Sequence, residues 1–347
     1  MKLVVFLVYV VLLVITLLGT SNKRFSKKAI NISILIMFLL SIFKDGSQMP
    51  DHNVYKSAYY LSNAGESLPS LEFSYALISR FFGPFGSIGF NLVLMFYSAI
   101  FLLTFRKILL KFPENGPSSI LLFYSNAFLI FGLIQIRAGA ALALIYSTIL
   151  IDEGNLKKIF KWIASVFFHV SSIIFIPLKF LRKTTIKKRT AILFLIIAIA
   201  ASTLVLPLVK LLIDFIPISY IQSKALTYML EERIQSLKLN FLGPNFLLRF
   251  VLFIIFVRFW NNFKSSTERI LLYFYIIGFY TYIALSSIPE IAFRIANSLF
   301  LAEVFLIPIV VSRIKQPKAR FTMIALYSSF QLVVNVLFTS YFNYTTN

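Results

Sequence analysis

Apolar stretches long enough to cross a bilayer recur along this sequence almost from end to end, and they constrain its fold more than any other feature. Of the 347 residues, 59% are hydrophobic and only 14% are charged, which leaves too little polar surface to cover a soluble globule of this mass. Within a bilayer, an α-helix satisfies the backbone polar groups of its own segment. The sequence therefore predicts an all-α, polytopic membrane protein with a single transmembrane domain over residues 1–347.

Hydropathy and loop charge predict about ten spans. The first apolar run is followed, rather than preceded, by a basic cluster of Lys23, Arg24, Lys27 and Lys28, which is the reverse of a cleaved signal peptide and predicts an outer N-terminus. With that orientation, most Lys and Arg residues fall on the inner side. The predicted spans are residues 2–19, 29–43, 87–105, 118–135, 137–151, 190–213, 245–262, 269–286, 298–313 and 320–342.

The formal net charge of +21 has the same origin. In a soluble protein, clustered Lys and Arg would indicate a nucleic-acid partner, because they bind phosphates. Here they lie mainly in short inner loops, where they fix the membrane topology, so we expect no nucleic-acid partner. The chain has no Cys, which excludes disulfide bonds, thiolate metal sites and a Cys nucleophile.

One segment, residues 159–181, does not fit a simple crossing. It is long enough for one span, but both of its flanks are strongly basic, and a crossing would leave one flank outside. Non-helical backbone is tolerated at membrane depth where it lines a cavity. The pattern therefore favours a re-entrant pair of half-helices with residues 168–172 near its tip.

Two predicted outer loops, residues 44–86 and 214–244, are long enough to form structure of their own. In the first loop, apolar and polar side chains interleave over residues 71–82. This predicts a helix that lies in the membrane interface and ends at Gly83 and Pro84. The second loop is predicted to form a similar polar cap.

Motifs of soluble enzymes are missing from the sequence. It contains no G-x-x-x-x-G-K-[ST], no G-x-G-x-x-G, no G-x-S-x-G and no H-E-x-x-H. With two His and no Cys, a dedicated metal site has few ligands to draw on. We therefore expect no cofactor and no metal, and either metal-independent chemistry or transport.

Three Arg residues stand out, because burying Arg in a bilayer costs roughly 2.5 kcal/mol or more unless it reaches water or an anion. Arg137 begins a small-residue segment between two spans, where it either snorkels to the outer interface or binds a phosphate or acidic sugar. Arg294 follows Glu290 by one helical turn, an arrangement typical of an i,i+4 ion pair. Together with Arg249, these side chains form a predicted cationic cluster for a pyrophosphate.

His169 and Asp51 are the candidate acid–base groups. A neutral His can act as a base near neutral pH, and a continuous helix would place His169 on one face with Ser165 and Ser172; the alternative is a packing role. Asp51 opens the first outer loop, where the alternative is an ordinary solvated turn. Glu303 lies deep in a predicted span and either balances an Arg or serves a pathway.

In their order and spacing, these residues resemble the EpsG family of polysaccharide polymerases, a branch of the Wzy-type O-antigen and exopolysaccharide polymerases. The likeness covers most of the chain, and no single motif is specific. His52 and Asn297 stand where variable or aromatic residues are expected, so neither is given a role. The segments that carry the likeness are Asp51 with Tyr55 and Tyr59, Gln135-x-Arg137-Ala-Gly-x-Ala, Phe168-His169-x-Ser171 with Pro177, and Arg294-Ile295-x-Asn297 with Glu303.

The resemblance implies a glycosyltransferase-type polymerase, multi-pass in a bacterial inner membrane, that joins polyprenyl-pyrophosphate-linked oligosaccharide units at the outer face. Membrane lipids and a chain-length regulator protein are its candidate partners. Arg137, Arg294 and Arg249 would hold the pyrophosphate, and His169 or Asp51 would deprotonate the attacking hydroxyl. Three tyrosines of the first outer loop would stack on sugar rings: Tyr55, Tyr59 and Tyr60.

Two other functions require similar features. A flippase or exporter of the same lipid-linked glycan also needs a cationic, lipid-accessible cavity, although the paired broken helices typical of transporters are not evident in this sequence. An O-antigen ligase uses nearly the same chemistry as a polymerase and differs in its acceptor.

Overall fold

The computed structural model describes residues 1–44, 46, 49, 51–66, 72–111, 116–212 and 241–338, and all regular structure within these ranges is helical. The predicted all-α class is thus confirmed for the described part of the chain. The chain divides into two compact units, one of Met1–Ile176 with Ile307–Asn347 and one of Pro177–Leu306. The single transmembrane domain over residues 1–347 stays a prediction, and most of the second outer loop, 214–244, lies outside the described residues.

The described α-helices, in chain order, are α1 (Lys2–Ser21), α2 (Lys23–Phe43), α3 (His52–Asn63), α4 (Phe73–Phe82), α5 (Gly86–Leu110), α6 (Gly116–Leu122), α7 (Ile136–Leu150), α8 (Asn155–Phe168), α9 (Phe175–Leu178), α10 (Lys188–Leu212), α11 (Pro244–Arg258), α12 (Ser266–Ala284), α13 (Pro289–Phe300), α14 (Glu303–Val311) and α15 (Pro317–Leu337). Short 3₁₀ turns cover Gly83–Phe85, Val170–Ile174, Lys179–Lys183 and Trp260–Asn262, and a π-helix covers Phe123–Gly132.

Among the described residues, five helical segments are long and apolar enough to cross a membrane, or six if the bent pair of α13 and α14 is one span. Shorter apolar helices coincide with the predicted spans 118–135 and 137–151. A helical membrane protein is therefore confirmed, whereas the predicted count of ten spans is not. The five segments are Lys2–Ser21, Arg24–Phe43, Phe73–Leu110, Lys188–Leu211 and Pro317–Leu337.

Local capping signals set several helix boundaries. Asn22 separates α1 from α2: its extended backbone ends the first helix, and its side-chain oxygen accepts a hydrogen bond from the Arg24 backbone N–H at 3.0 Å. Ser265 and Glu268 form a capping box at the start of α12. Proline stands in the first turn of α11, α13 and α15, where its missing N–H has no helical acceptor to lose.

The π-helix continues α6 and leads into α7, and all of its residues are buried. Backbone of this kind is rare and is frequently found beside functional sites. Residues 151–154 then join α7 to α8, and the two helices pack along each other as an antiparallel pair. The start of α7 and the end of α8 consequently lie at the same end of this pair.

The predicted re-entrant segment, residues 159–181, is interrupted where its tip was predicted. Helix α8 ends at Phe168, His169 has extended backbone (φ −154°, ψ 109°), and a 3₁₀ turn follows. The helix does not continue through His169, so the condition under which Ser165, His169 and Ser172 would share one helical face is not met. The re-entrant path through the bilayer stays a prediction.

In the first unit, α3 and α4 pack on α5 and on the start of α7. The predicted helix over residues 71–82 is α4, and the 3₁₀ turn that contains Gly83 and Pro84 follows it, as predicted. Gly86 has a φ of +58°, which only glycine adopts readily, and this residue redirects the chain into α5. The buried side chains that join these helices are Tyr55, Ala58, Tyr59, Tyr75, Phe90, Val93, Leu94, Tyr97, Ile136 and Ala140.

Candidate active site

A buried carboxylate, Glu72, joins Arg137 and His169 in one group, which we call the carboxylate cluster. Glu72 Oε2 pairs with Arg137 Nη1, and Glu72 Oε1 lies 3.0 Å from His169 Nδ1. The exposed fraction of the side chain is 4% for Glu72, 11% for Arg137 and 20% for His169. The imidazole is therefore the most accessible member of the cluster.

Three separate elements place these side chains. Glu72 stands in extended backbone immediately before α4, Arg137 lies in the first turn of α7, and His169 follows the last residue of α8. Because α7 and α8 are antiparallel neighbours, Arg137 and His169 meet at one end of the pair. Glu72, immediately before α4, completes the cluster at this end.

The guanidinium of Arg137 lies against two tyrosine rings. Its Cζ is 5.3 Å from the centroid of Tyr55 and 5.8 Å from that of Tyr75, within the range of a cation–π interaction. The Tyr75 hydroxyl donates to the Tyr55 carbonyl at 2.8 Å, which holds the two rings together, and Tyr97 stacks on Tyr75. Arg137 is thus held inside the protein by an anion and aromatic faces, and it does not snorkel to the surface.

Glu72 also defines the hydrogen-bonding roles of His169. An ionised carboxylate only accepts hydrogen bonds, so in this contact His169 Nδ1 carries the hydrogen. In the neutral imidazole, Nε2 then carries the lone pair that takes a proton. After protonation, the carboxylate stabilises the imidazolium, which is the arrangement of an oriented general base. The cluster thus combines a potential base with a guanidinium.

Small residues after Arg137 let α7 begin in close contact with the preceding chain. A Cβ atom on Gly139 would overlap the carbonyl oxygen of Phe131, and it would lie 3.0 Å from the carbonyl carbon. Because both atoms belong to the backbone, no side-chain rotation relieves this overlap. Gly139 therefore determines where the first turn of α7 lies, and with it Arg137.

We expect Gly139→Ala to destabilise the first unit by about 1–3 kcal/mol, the usual cost of overpacking, and to displace Arg137. Gly154→Ala is the matched control, since a Cβ at Gly154 has no atom within 4 Å. Thermal unfolding midpoints in detergent compare the two variants. A Gly139→Ala midpoint as high as that of Gly154→Ala would contradict the close contact.

Asp51, the second predicted acid–base residue, lies immediately before α3, and its charge acts on Lys44. Lys44 follows α2, and its ammonium donates to the carbonyl of Leu133, shortly before Arg137. Burial lowers the pKa of Lys44 to about 7, and the Asp51 carboxylate opposes this shift. Lys44 therefore attaches the end of α2 to the segment that leads into α7.

The three predicted sugar-binding tyrosines all lie in α3 but differ in exposure. Tyr55 and Tyr59 are 4% and 1% exposed, whereas Tyr60 is 49% exposed. The Tyr59 hydroxyl donates to the Gly86 carbonyl at 2.7 Å, and Tyr55 supports Arg137. Stacking on a sugar needs an exposed ring face, and in this conformation Tyr60 is the one of the three that provides it.

Arg249 and Arg294 belong to the second unit, where each pairs with a carboxylate. Arg249 pairs with Glu303, and their side chains are 4% and 1% exposed; this identifies a partner that the sequence did not reveal. Arg294 Nη2 donates to Glu290 Oε1 at 2.8 Å, which is the i,i+4 pair considered from the sequence, and its side chain is 38% exposed. The grouping of Arg137, Arg249 and Arg294 around one pyrophosphate stays a prediction.

Sequence reasoning did not single out Glu72 as a functional residue. It stands among alternating apolar and polar residues of an outer loop, where a carboxylate usually faces water. The available signal was the need of Arg137 for a counter-charge, in a chain with only 13 Asp and Glu residues. The contact with His169 joins residues 97 positions apart, which no local pattern reveals.

Comparison with protein-family models matches residues 27–346 to a model described as the EpsG family. This match covers nearly the whole chain and confirms the resemblance noted from the sequence. The matched range contains Glu72, Arg137 and His169. No curated protein and no solved structure matches the chain.

Proposed function

Because the chain belongs to the EpsG family, which is associated with Wzy-type polymerases, we propose that it joins polyprenyl-pyrophosphate-linked oligosaccharide units into polysaccharide at the outer face of a bacterial inner membrane. Such a reaction needs one group to stabilise a departing pyrophosphate and another to deprotonate an alcohol. The observation that supports the proposal is the carboxylate cluster, in which one carboxylate contacts both a guanidinium and an imidazole.

In the proposed reaction, a hydroxyl oxygen of the acceptor unit attacks the anomeric carbon of the donor glycan. A glycosidic C–O bond forms while the bond between the anomeric carbon and the pyrophosphate oxygen breaks, and the electron pair of the broken bond leaves with the lipid pyrophosphate. His169 Nε2 takes the hydroxyl proton, and Glu72 stabilises the imidazolium that results. The proton then passes to water or to the released pyrophosphate, which returns His169 to its neutral form.

Arg137 is the proposed electrostatic partner of the leaving group. Negative charge on the bridging oxygen grows as the C–O bond breaks, so a fixed cation stabilises the transition state more than the ground state. A guanidinium binds phosphate oxygens through paired N–H groups. The rings of Tyr55 and Tyr75 keep water from Arg137, which strengthens its interaction with an anion.

Deletion of the gene separates this function from the two alternatives. We expect surface glycan that carries single repeat units on the lipid core, because units would still be made, exported and ligated but not joined. Undelivered polymer would instead indicate a ligase, and loss of every outer-face intermediate would indicate a flippase.

Expression of the wild-type chain in the deletion strain should restore long polymer. Expression of Arg137→Ala at the same membrane abundance should not restore it. Normal polymer from Arg137→Ala would overturn the role proposed for this residue.

A further inference from the structure

Glu72 uses its two carboxylate oxygens on two different partners, Arg137 and His169. Arg137 has donors to spare: among the described residues, its buried Nε has no hydrogen-bond partner. A guanidinium that is engaged on one side by a carboxylate and has an unused N–H beside it can accept a second oxyanion. An anionic ligand can therefore make its first contact with Arg137 before Glu72 has left the guanidinium.

A pyrophosphate at Arg137 would come close to the Glu72 carboxylate. Two anions at one guanidinium repel each other, and in a desolvated setting this repulsion is strong. The pyrophosphate carries the larger charge and can engage several N–H groups at once, so it has the advantage in this competition. Glu72 keeps its second partner, His169, when it leaves Arg137.

We propose that Glu72 is an exchangeable anion: the donor pyrophosphate displaces it from Arg137, and the released carboxylate then serves His169 alone. This inference rests on the proposed function and adds an order of events to it. While Glu72 is shared, Arg137 neutralises most of its charge. Once Glu72 is released, its full charge stabilises the His169 imidazolium. Donor binding thus activates the base, and Glu72 acts as a positioning residue rather than as a group that touches substrate.

A fixed structural anchor would behave in the opposite way. If Glu72 only held Arg137 in place, removal of its charge would release the guanidinium and weaken anion binding. If Glu72 competes with the anion, removal of its charge strengthens anion binding and impairs the base. The sign of the change in affinity therefore distinguishes the two roles.

Calorimetric titration of the purified full-length chain with inorganic pyrophosphate, in detergent with a chelator present, measures this sign. We expect Glu72→Gln to bind at least about tenfold tighter than wild type, because a like-charge contact is removed. Glu66→Gln is the matched control, since it removes an exposed carboxylate of the same outer loop, and its affinity should stay near that of wild type. Unchanged or weaker binding by Glu72→Gln would overturn the exchange.

Kinetics with the lipid-linked donor provide a second readout. Glu72→Gln should lower KM and kcat together, because the donor binds more tightly while His169 loses its carboxylate. Arg137→Ala shows whether a negative result rules out only the exchange of Glu72 or also the pyrophosphate site at Arg137. If this variant no longer binds pyrophosphate while Glu72→Gln fails to gain affinity, only the exchange is wrong; if it binds as well as wild type, the proposed site itself is wrong.

The wild-type chain gives a test that does not depend on the folding of any variant at Glu72. It has two His residues, so nitrogen NMR of ¹⁵N-His protein can be assigned with a single His52→Gln variant. We expect saturating inorganic pyrophosphate to shift the His169 ring nitrogens toward the protonated form at constant pH. Ring nitrogens that do not respond to bound pyrophosphate would contradict the proposed coupling.

Discussion

Replacement of His169 by alanine should lower the rate of polymerisation by roughly 10²- to 10⁴-fold, the range that a positioned general base contributes. The acceptor hydroxyl is a poor nucleophile unless a base takes its proton as the new bond forms. The His169 side chain is 20% exposed, and Glu72 keeps its ion pair with Arg137 when the imidazole is removed. We therefore expect the variant to reach the membrane and to unfold close to the wild-type temperature.

His52→Ala is the matched control for this prediction. His52 lies in α3, and its ring packs edge-on against Phe90 at a centroid distance of 5.3 Å. Polymer length and rate should stay near wild type in this variant. A normal rate in His169→Ala would contradict the assignment of the base and would turn attention to Asp51, the other acid–base candidate from the sequence.

Glu303→Ala should destabilise the second unit by about 3–5 kcal/mol, the usual cost of leaving a buried charge without its partner. Glu303 begins α14, directly after the 46° bend that follows α13. Its partner Arg249 has its Cζ 4.0 Å from the centroid of Phe300, and the Arg249 carbonyl accepts a hydrogen bond from Tyr275 at 2.6 Å. Arg249 in α11 thus contacts Phe300 before the bend and Glu303 after it, and loss of Glu303 would loosen the packing of α11 at the bend.

A double variant and a surface pair test this explanation. Arg249→Met combined with Glu303→Leu should regain most of the lost stability, because apolar residues of similar volume replace a buried ion pair at little cost. Glu290→Ala, which breaks the more exposed pair with Arg294, should cost about 0–1 kcal/mol. The stability of Glu303→Ala, of the double variant and of Glu290→Ala is compared by thermal unfolding and by resistance to protease. A double variant as unstable as Glu303→Ala would contradict the account.

The same double variant also tests the predicted role of Arg249 in pyrophosphate binding. We expect it to make polymer, because the Arg249 guanidinium is engaged by Glu303 and only 4% of its side chain is exposed. A stable double variant without polymer would show that Arg249 holds the pyrophosphate in addition to its structural role.

The sequence predicts the helical class and the two residues of the site that break its apolar pattern. Arg137 and His169 stand out because polar side chains are expensive within a membrane segment. Helix α4 and the turn after it follow from the interleaved pattern that ends at Gly83 and Pro84. These features are local, so hydropathy and turn chemistry suffice to find them.

Features that depend on tertiary contacts could not be predicted from hydropathy and turn chemistry. Glu72 and His169 are 97 residues apart, and Arg249 and Glu303 are 54 apart. The burial of Tyr59 results from packing between α3 and the start of α5. The predicted span count is not confirmed for a related reason, since an apolar helix of 15 residues such as Ile136–Leu150 is equally typical of a buried core helix and of a short crossing.

Reconstitution of the purified chain with lipid-linked repeat units would test the proposed reaction itself. Glycan length and released polyprenyl pyrophosphate are measured in the same vesicles, for wild type, Arg137→Ala and His169→Ala. We predict a ladder of lengths from wild type, with one lipid pyrophosphate released for each new glycosidic bond, and no ladder from either variant. Movement of lipid-linked units across the vesicle membrane without lengthening would contradict the account and would show that this chain is a transporter.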